Sequence, residues 1–352
     1  VWGLGLPLGL VVWVGALYAC VRGMKAIYGL VYIASGIVVP MAILVLFNSY
    51  VAMAIALLLA SISLALTLKL RTSTTRGAAI LLSWVVPYFL LTGSFEVKFL
   101  RYLIPITPVL VLFGAHLLVE IWERACKFGQ LAKVVAGTMC VLCVMGTAMY
   151  AASYMAVYSS PHTSVRMSQW INNEADKGAV ILKEHWEEGL PRLENYLVKE
   201  LPIYDPDTPQ KLKSMSENLA RAEFVVFFSN RLYGTIPRLK YRYPSTTAYY
   251  NLLFTQKIGY ELANVETAFQ GVAGVSVLDD TFQRPGLLPP KGMGVFMPPG
   301  PKIRMGFADE SFSVYDHPMG MIFKNIGHYK ASEIENIIRK ESETNKLGLE
   351  KE

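Results

Sequence analysis

Lys98, Arg101 and Tyr102 stand at the mouth of an apolar stretch marked by Pro105 and Pro108. On a helix, a spacing of three puts both cations on one face. Two cations beside an aromatic ring could hold an anionic head group at a membrane surface. A guanidinium offers phosphate a bidentate fork, an ammonium offers a point charge, and the Tyr102 hydroxyl adds a donor. The same residues also read as an interfacial anchor, with long side chains reaching toward water and Glu96 as ion-pair partner, and spacing alone favours the anchor.

A second cluster, Glu184, His185, Trp186, Glu187 and Glu188, follows a short apolar run at 179–183. Carboxylates and an imidazole so close together could bind a divalent cation or act as acid and base. The end of a parallel strand is where such folds place ligands, and Trp186 could stack on an acceptor carbohydrate. No second ligand set stands at metal spacing, which leaves a solvated connection open, its acids favouring a helix that begins near Pro191. Other signals are weaker. Cys140 and Cys143 have redox spacing but lie mid-span, where small residues pack. Asp279 and Asp280 read as a solvated turn, and Tyr315 to Pro318 as a hairpin turn whose Asp bonds its own backbone. Phosphate-cradling glycine loops, nucleophile elbows and zinc spacings are absent from the sequence.

The elements that must position these residues fall into two parts. Hydrophobic residues make up 53% of the chain, and outside short loops nearly all charge follows Tyr158. A bilayer-crossing helix needs about 20 apolar residues, and six runs approach that length: 1–21, 26–47, 50–68, 77–95, 100–119 and 132–157. The expected fold is therefore a polytopic α-helical membrane bundle of about six spans over 1–157, followed by a small extracytoplasmic α/β domain over 158–352. Alternate loops carry Arg22 and Lys25, then Lys69, Arg71 and Arg76, then Arg124, Lys127 and Lys133. The positive-inside rule makes these cytoplasmic and puts residues after Tyr158 outside. The net charge of +6 is thus explained by orientation, with nucleic acid excluded as a partner.

In the second part, strand patterns at 179–183, 201–204, 224–228 and 260–265 alternate with helix patterns at 192–199, 209–221 and 246–256, predicting a mostly parallel sheet. Residues 283–306 read as a long Pro/Gly-rich loop, 311–315 and 319–324 as a final hairpin, and 330–343 as a peripheral charged helix. The four cysteines all lie in the apolar half, so no disulfide framework is implied. Val1 begins inside an apolar run with no initiator Met, so the chain is expected to be the C-terminal part of a longer polypeptide.

The stretch from Trp84 to Ser94, followed by Lys98 to Pro108, resembles the late membrane region of glycosyltransferase family 39 proteins. These are relatives of the protein O-mannosyltransferases and aminoarabinose transferases. Ser168 to Ile171, Glu184 to Pro191, Ser229 to Arg238 and Asp309 to Pro318 are similar to segments after the last span of such proteins, in an archaeal and Chloroflexi-type branch. The resemblance implies a cell-membrane, multi-pass enzyme that transfers a sugar from a polyprenyl-phosphate donor to an acceptor on the outer face. Membrane lipids and the missing N-terminal part would be its partners. The family's catalytic carboxylate lies in a first extracytoplasmic loop, which would be upstream, leaving no catalytic residue in this chain. Lys98, Arg101 and Tyr102 then become neighbours of the donor phosphate, and Glu184, His185, Trp186 and Glu187 possible acceptor or metal contacts. The alternative is a non-catalytic membrane protein, a transporter half or an anchored module presenting the α/β domain.

Overall fold

The computed structural model describes residues 3–22, 73–95, 99–282 and 286–349, and these divide into two compact units, Val1–Ala151 and Ala152–Glu352. The expected spans 26–47 and 50–68 lie outside the described residues.

The first unit holds α1 (Leu6–Arg22), α2 (Ser73–Gly93), a 3-10 segment (Leu100–Ile106) and α3 (Thr107–Phe128). It also holds most of α4 (Gln130–Met155), which runs across the boundary between the units. Val12, Ala16, Leu82, Val85, Ile106, Leu110 and Phe113 form its core. Gly129, at φ 112°, is the single residue between α3 and α4. The two helices then run back along each other, with Cys140 Sγ 4.0 Å from the Leu118 carbonyl. Cys143 is buried and neither cysteine is bonded to the other, so this pair packs.

The six-span bundle is corrected here. Among the described residues, two helical runs are long and apolar enough to cross a bilayer by length and composition, Leu100–Phe128 and Gln130–Glu174. The apolar parts of α1 and α2, Leu6–Ala19 and Ile80–Gly93, fall short. α1 and α2 instead turn apolar residues toward α3, with Val12, Leu82, Val85, Leu110 and Phe113 packed in one core. In Gln130–Glu174 only 11% of the most apolar window is buried, and Val134, Val135, Val141, Leu142, Val144 and Met149 are exposed. A core helix of a water-soluble domain would cover such residues, so the surface points to association with a membrane.

The second unit is built on a five-stranded sheet of order β2-β1-β3-β8-β4. Its strands are β1 (Val180–Glu184), β2 (Leu197–Leu201), β3 (Phe224–Phe227), β8 (Gly320–Asn325) and β4 (Tyr260–Glu266). β1 is parallel to β2 and β3, whereas β8 is antiparallel to β3 and β4, so the sheet is mixed rather than mostly parallel. Side chains alternate across it. Leu182, Val225, Phe227, Met321 and Phe323 face a large core with α6 (Pro209–Arg221), α7 (Pro244–Phe254) and α8 (Ala331–Leu349). Ile181, Phe224, Val226 and Ile322 face α5 (Thr163–Glu174) through Met167 and Ile171. α6 begins as its sequence dictates, with Thr208 Oγ1 accepting from the Lys211 amide and Pro209 at the first position.

Other local expectations change. Residues 192–199 form no helix: 192–196 turn, with Arg192 at φ 57°, and 197–199 already belong to β2. The stretch 283–306, of which 283–285 lie outside the described residues, holds β7 (Lys302–Arg304). β7 joins β5 (Gln270–Val272) and β6 (Val275–Leu278) in a second sheet. Ser311–Asp316 is a π-helical turn, so no hairpin forms with β8. The C-terminal helix is not peripheral, because Ile334 and Ile338 are buried in the main core.

Candidate functional site

β1 and β3 lie side by side and end together, and the turns that follow them meet. Along extended chain, successive side chains point to opposite faces. Glu184 turns into the core, where the Tyr250 hydroxyl on α7 donates to its Oε1, while its Oε2 has no partner among the described residues. The chain then tightens, with the Glu187 amide 3.3 Å from the Glu184 carbonyl. Glu187 is buried, and Ser229 Oγ after β3 donates to its carboxylate at 2.8 Å. Burial pushes the Glu184 carboxyl well above its ordinary value, opposed by Tyr250 and reinforced by Glu187. Burial likewise lifts Glu187 to about 7, against the Ser229 hydrogen bond and the Arg231 charge.

Trp186 sits between the two acids. Its backbone is left-handed, at φ 72°, a conformation that costs a bulky L-residue of order 1 kcal/mol or more. Its indole is 64% exposed. Arg231 fixes this arrangement by donating from one guanidinium nitrogen to the Trp186 carbonyl at 2.6 Å. The same guanidinium lies 5.2 Å from the ring centre of Tyr315. Tyr204, after β2, meets the indole edge-on at 6.0 Å, and the His185 ring meets it at 5.8 Å. The loop 184–188 is thus latched to the loop after β3, with Glu184 and Glu187 inside and Trp186 and Glu188 outside. It is not the solvated strand-to-helix connection its composition suggested.

The donor set does not fit a metal ion. Glu184 and His185 diverge, and among the described residues no three His, Cys, Asp or Glu side chains come together to hold one.

Arg101 and Tyr102 lie together in the 3-10 segment, and Lys98 lies outside the described residues. Phe99 is extended, at φ −113° and ψ 143°, and the 3-10 turn starts at Leu100. The exposed Arg101 guanidinium covers the Phe99 ring at 4.3 Å, and Tyr102 packs edge-on against Phe95 and Phe99. Compared with family models, curated proteins and solved structures, the chain matches none. The candidate residues therefore stand on their own geometry.

Ser229, Arg231, Tyr204, Tyr250 and Tyr315 join the site without having been singled out by spacing. A polar Ser-Asn-Arg run directly after the wholly apolar β3 is the signal that could have found two of them. Tyr250 gives none, being one of two adjacent tyrosines on a helix with no acidic residue. The Asp316 turn also differs from expectation. Its carboxylate accepts from the hydroxyls of Tyr154 at 2.7 Å and Tyr158 at 2.6 Å, and contacts the buried His317 ring at 2.8 Å. Burial raises the Asp316 carboxyl, but these hydrogen bonds win and hold it below its ordinary value.

Proposed function

We propose that this chain is the C-terminal part of a membrane glycosyltransferase that moves a sugar from a polyprenyl-phosphate donor to an acceptor on the outer membrane face. Arg101 then lies beside the donor phosphate and Tyr102 next to it. One observation carries this reading: an exposed guanidinium, braced on Phe99, stands in the first turn of Leu100–Phe128, which is apolar and long enough to cross a bilayer. A cation there meets lipid head groups, and a planar fork fixed in place can stabilise charge building on a leaving phosphate. Orientation supports the same side for the chemistry. Arg124, Lys127 and Lys133 cluster between the two long helical runs. The positive-inside rule makes that turn cytoplasmic, which puts Arg101 outside and the residues after Tyr158 extracytoplasmic.

The test is sugar transfer by the full-length enzyme, its upstream part included. Arg101→Ala should cost about 1.5–3 kcal/mol, the scale of a hydrogen bond to a charged group, and so slow transfer at least about tenfold. Arg101→Lys keeps the charge but loses the fork and should recover only part of the rate. Membrane insertion stays normal in both. Unchanged transfer by both variants would return Arg101 to an anchoring role.

A further inference from the structure

We infer that the loop after β1 is a saccharide-binding site, in which Trp186 stacks against a β-linked oligosaccharide whose hydroxyls are met by Arg231 and His185. The site goes beyond the donor reading, since it stands on the second unit alone and needs no transferase activity.

The indole is out in solvent, on a backbone conformation a tryptophan adopts only under constraint, and Arg231 supplies that constraint. An exposed, strained aromatic ring costs stability without improving the core, the pattern expected where the ring meets something else. Its surroundings say what that partner is. The ring is met edge-on by the His185 imidazole and the Tyr204 phenol, and Arg231 holds the Trp186 main chain. Arg231 uses one nitrogen on the Trp186 carbonyl, and its fork has further N–H donors. His185, whose ring meets the indole, has a buried Nδ1 with no hydrogen-bond partner among the described residues. Buried polar atoms are nearly always paired in native proteins, so an orphaned one on the imidazole that meets the exposed ring marks a ligand's edge.

A flat apolar face rimmed by donors and acceptors fits a pyranose with equatorial hydroxyls, which offers C–H groups on its face and O–H groups around it. The site is also longer than one ring. Tyr204 touches the indole, and Arg231, which holds the Trp186 carbonyl, also reaches the half-exposed Tyr315. That row suits several linked sugars.

The experiment is saturation-transfer NMR on the full chain in lipid nanodiscs, with cellotetraose as probe. Trp186→Gly is the informative variant, since glycine takes the left-handed backbone without strain and should leave thermal stability equal or higher. Saturation transfer to the sugar C–H protons in the wild type, with affinity at least about tenfold weaker in Trp186→Gly, supports the site. Arg231→Lys, which keeps charge but not the latch, should weaken binding less. No transfer to cellotetraose in the wild type overturns the proposal, and so does equal binding by wild type and Trp186→Gly. If Trp186→Gly instead changes only indole quenching by brominated lipids, the ring is a membrane contact and the proposal also fails.

Discussion

Glu187 links the site to stability. Its carboxyl is raised from 4.5 to about 7, first by burial, so the folded state prefers it protonated. A group raised on folding contributes stability that is complete below its unfolded pKa and lost as pH climbs through the folded one. The second unit should therefore weaken between about pH 4.5 and 7, and the Glu187 contribution approaches ~3 kcal/mol of loss by pH 8. Glu184 acts in the same direction. Glu187→Gln keeps an oxygen for Ser229 and has no charge to bury. Thermal melting of the full chain at pH 5 and pH 8 should show a smaller fall for this variant, with the remaining slope belonging to Glu184. Identical slopes would mean that Glu187 ionises without hindrance. The sequence placed these acids at the end of a strand but could not foresee their burial. Sequence gives Glu187 only its neighbours in order, whereas Ser229 and Tyr250 reach the acids across the sheet and from α7.

Among the elements, α1 and α3 cross closely because both are small at the contact. A Cβ on Gly15 would fall 2.6 Å from the Phe113 carbonyl carbon and 2.8 Å from the Gly114 nitrogen, and main chain cannot step aside. Gly15→Ala should push the helices apart at a cost of ~1–3 kcal/mol, the range for overpacking. Gly9 on the same helix has nothing within 4 Å, so Gly9→Ala should be neutral or slightly stabilising. Melting of the detergent-solubilised chain compares them, and equal midpoints would refute the close crossing. Elements with local punctuation were legible. Thr208 and Pro209 mark the start of α6, and the apolar run at 224–228 announces β3. Elements defined by distant partners were not. β8 runs antiparallel to β3 because it returns to the sheet after a long excursion, and β7 forms inside a Pro/Gly-rich stretch because β6 offers it an edge. Pro191 reads as a helix start, yet the chain turns there to bring Leu197–Leu201 alongside β1.

For the whole molecule, length and hydropathy announced the division into an apolar part and a charged part but overstated the spans. Among the described residues α1 and α2 pack around Val12, Leu82 and Leu110. The proposed chemistry requires that a lipid phosphate reach the entrance of Leu100–Phe128. The most direct measurement is photocrosslinking in the membrane with a polyprenyl-phosphate sugar carrying a diazirine on its first isoprene unit, followed by peptide mapping. The account predicts adducts within 99–106, reduced in Arg101→Ala and competed away by unlabelled donor. Adducts spread evenly over the exposed face of Gln130–Met155, unaffected by Arg101→Ala or by competitor, would show that this region meets bulk lipid and would contradict the donor reading.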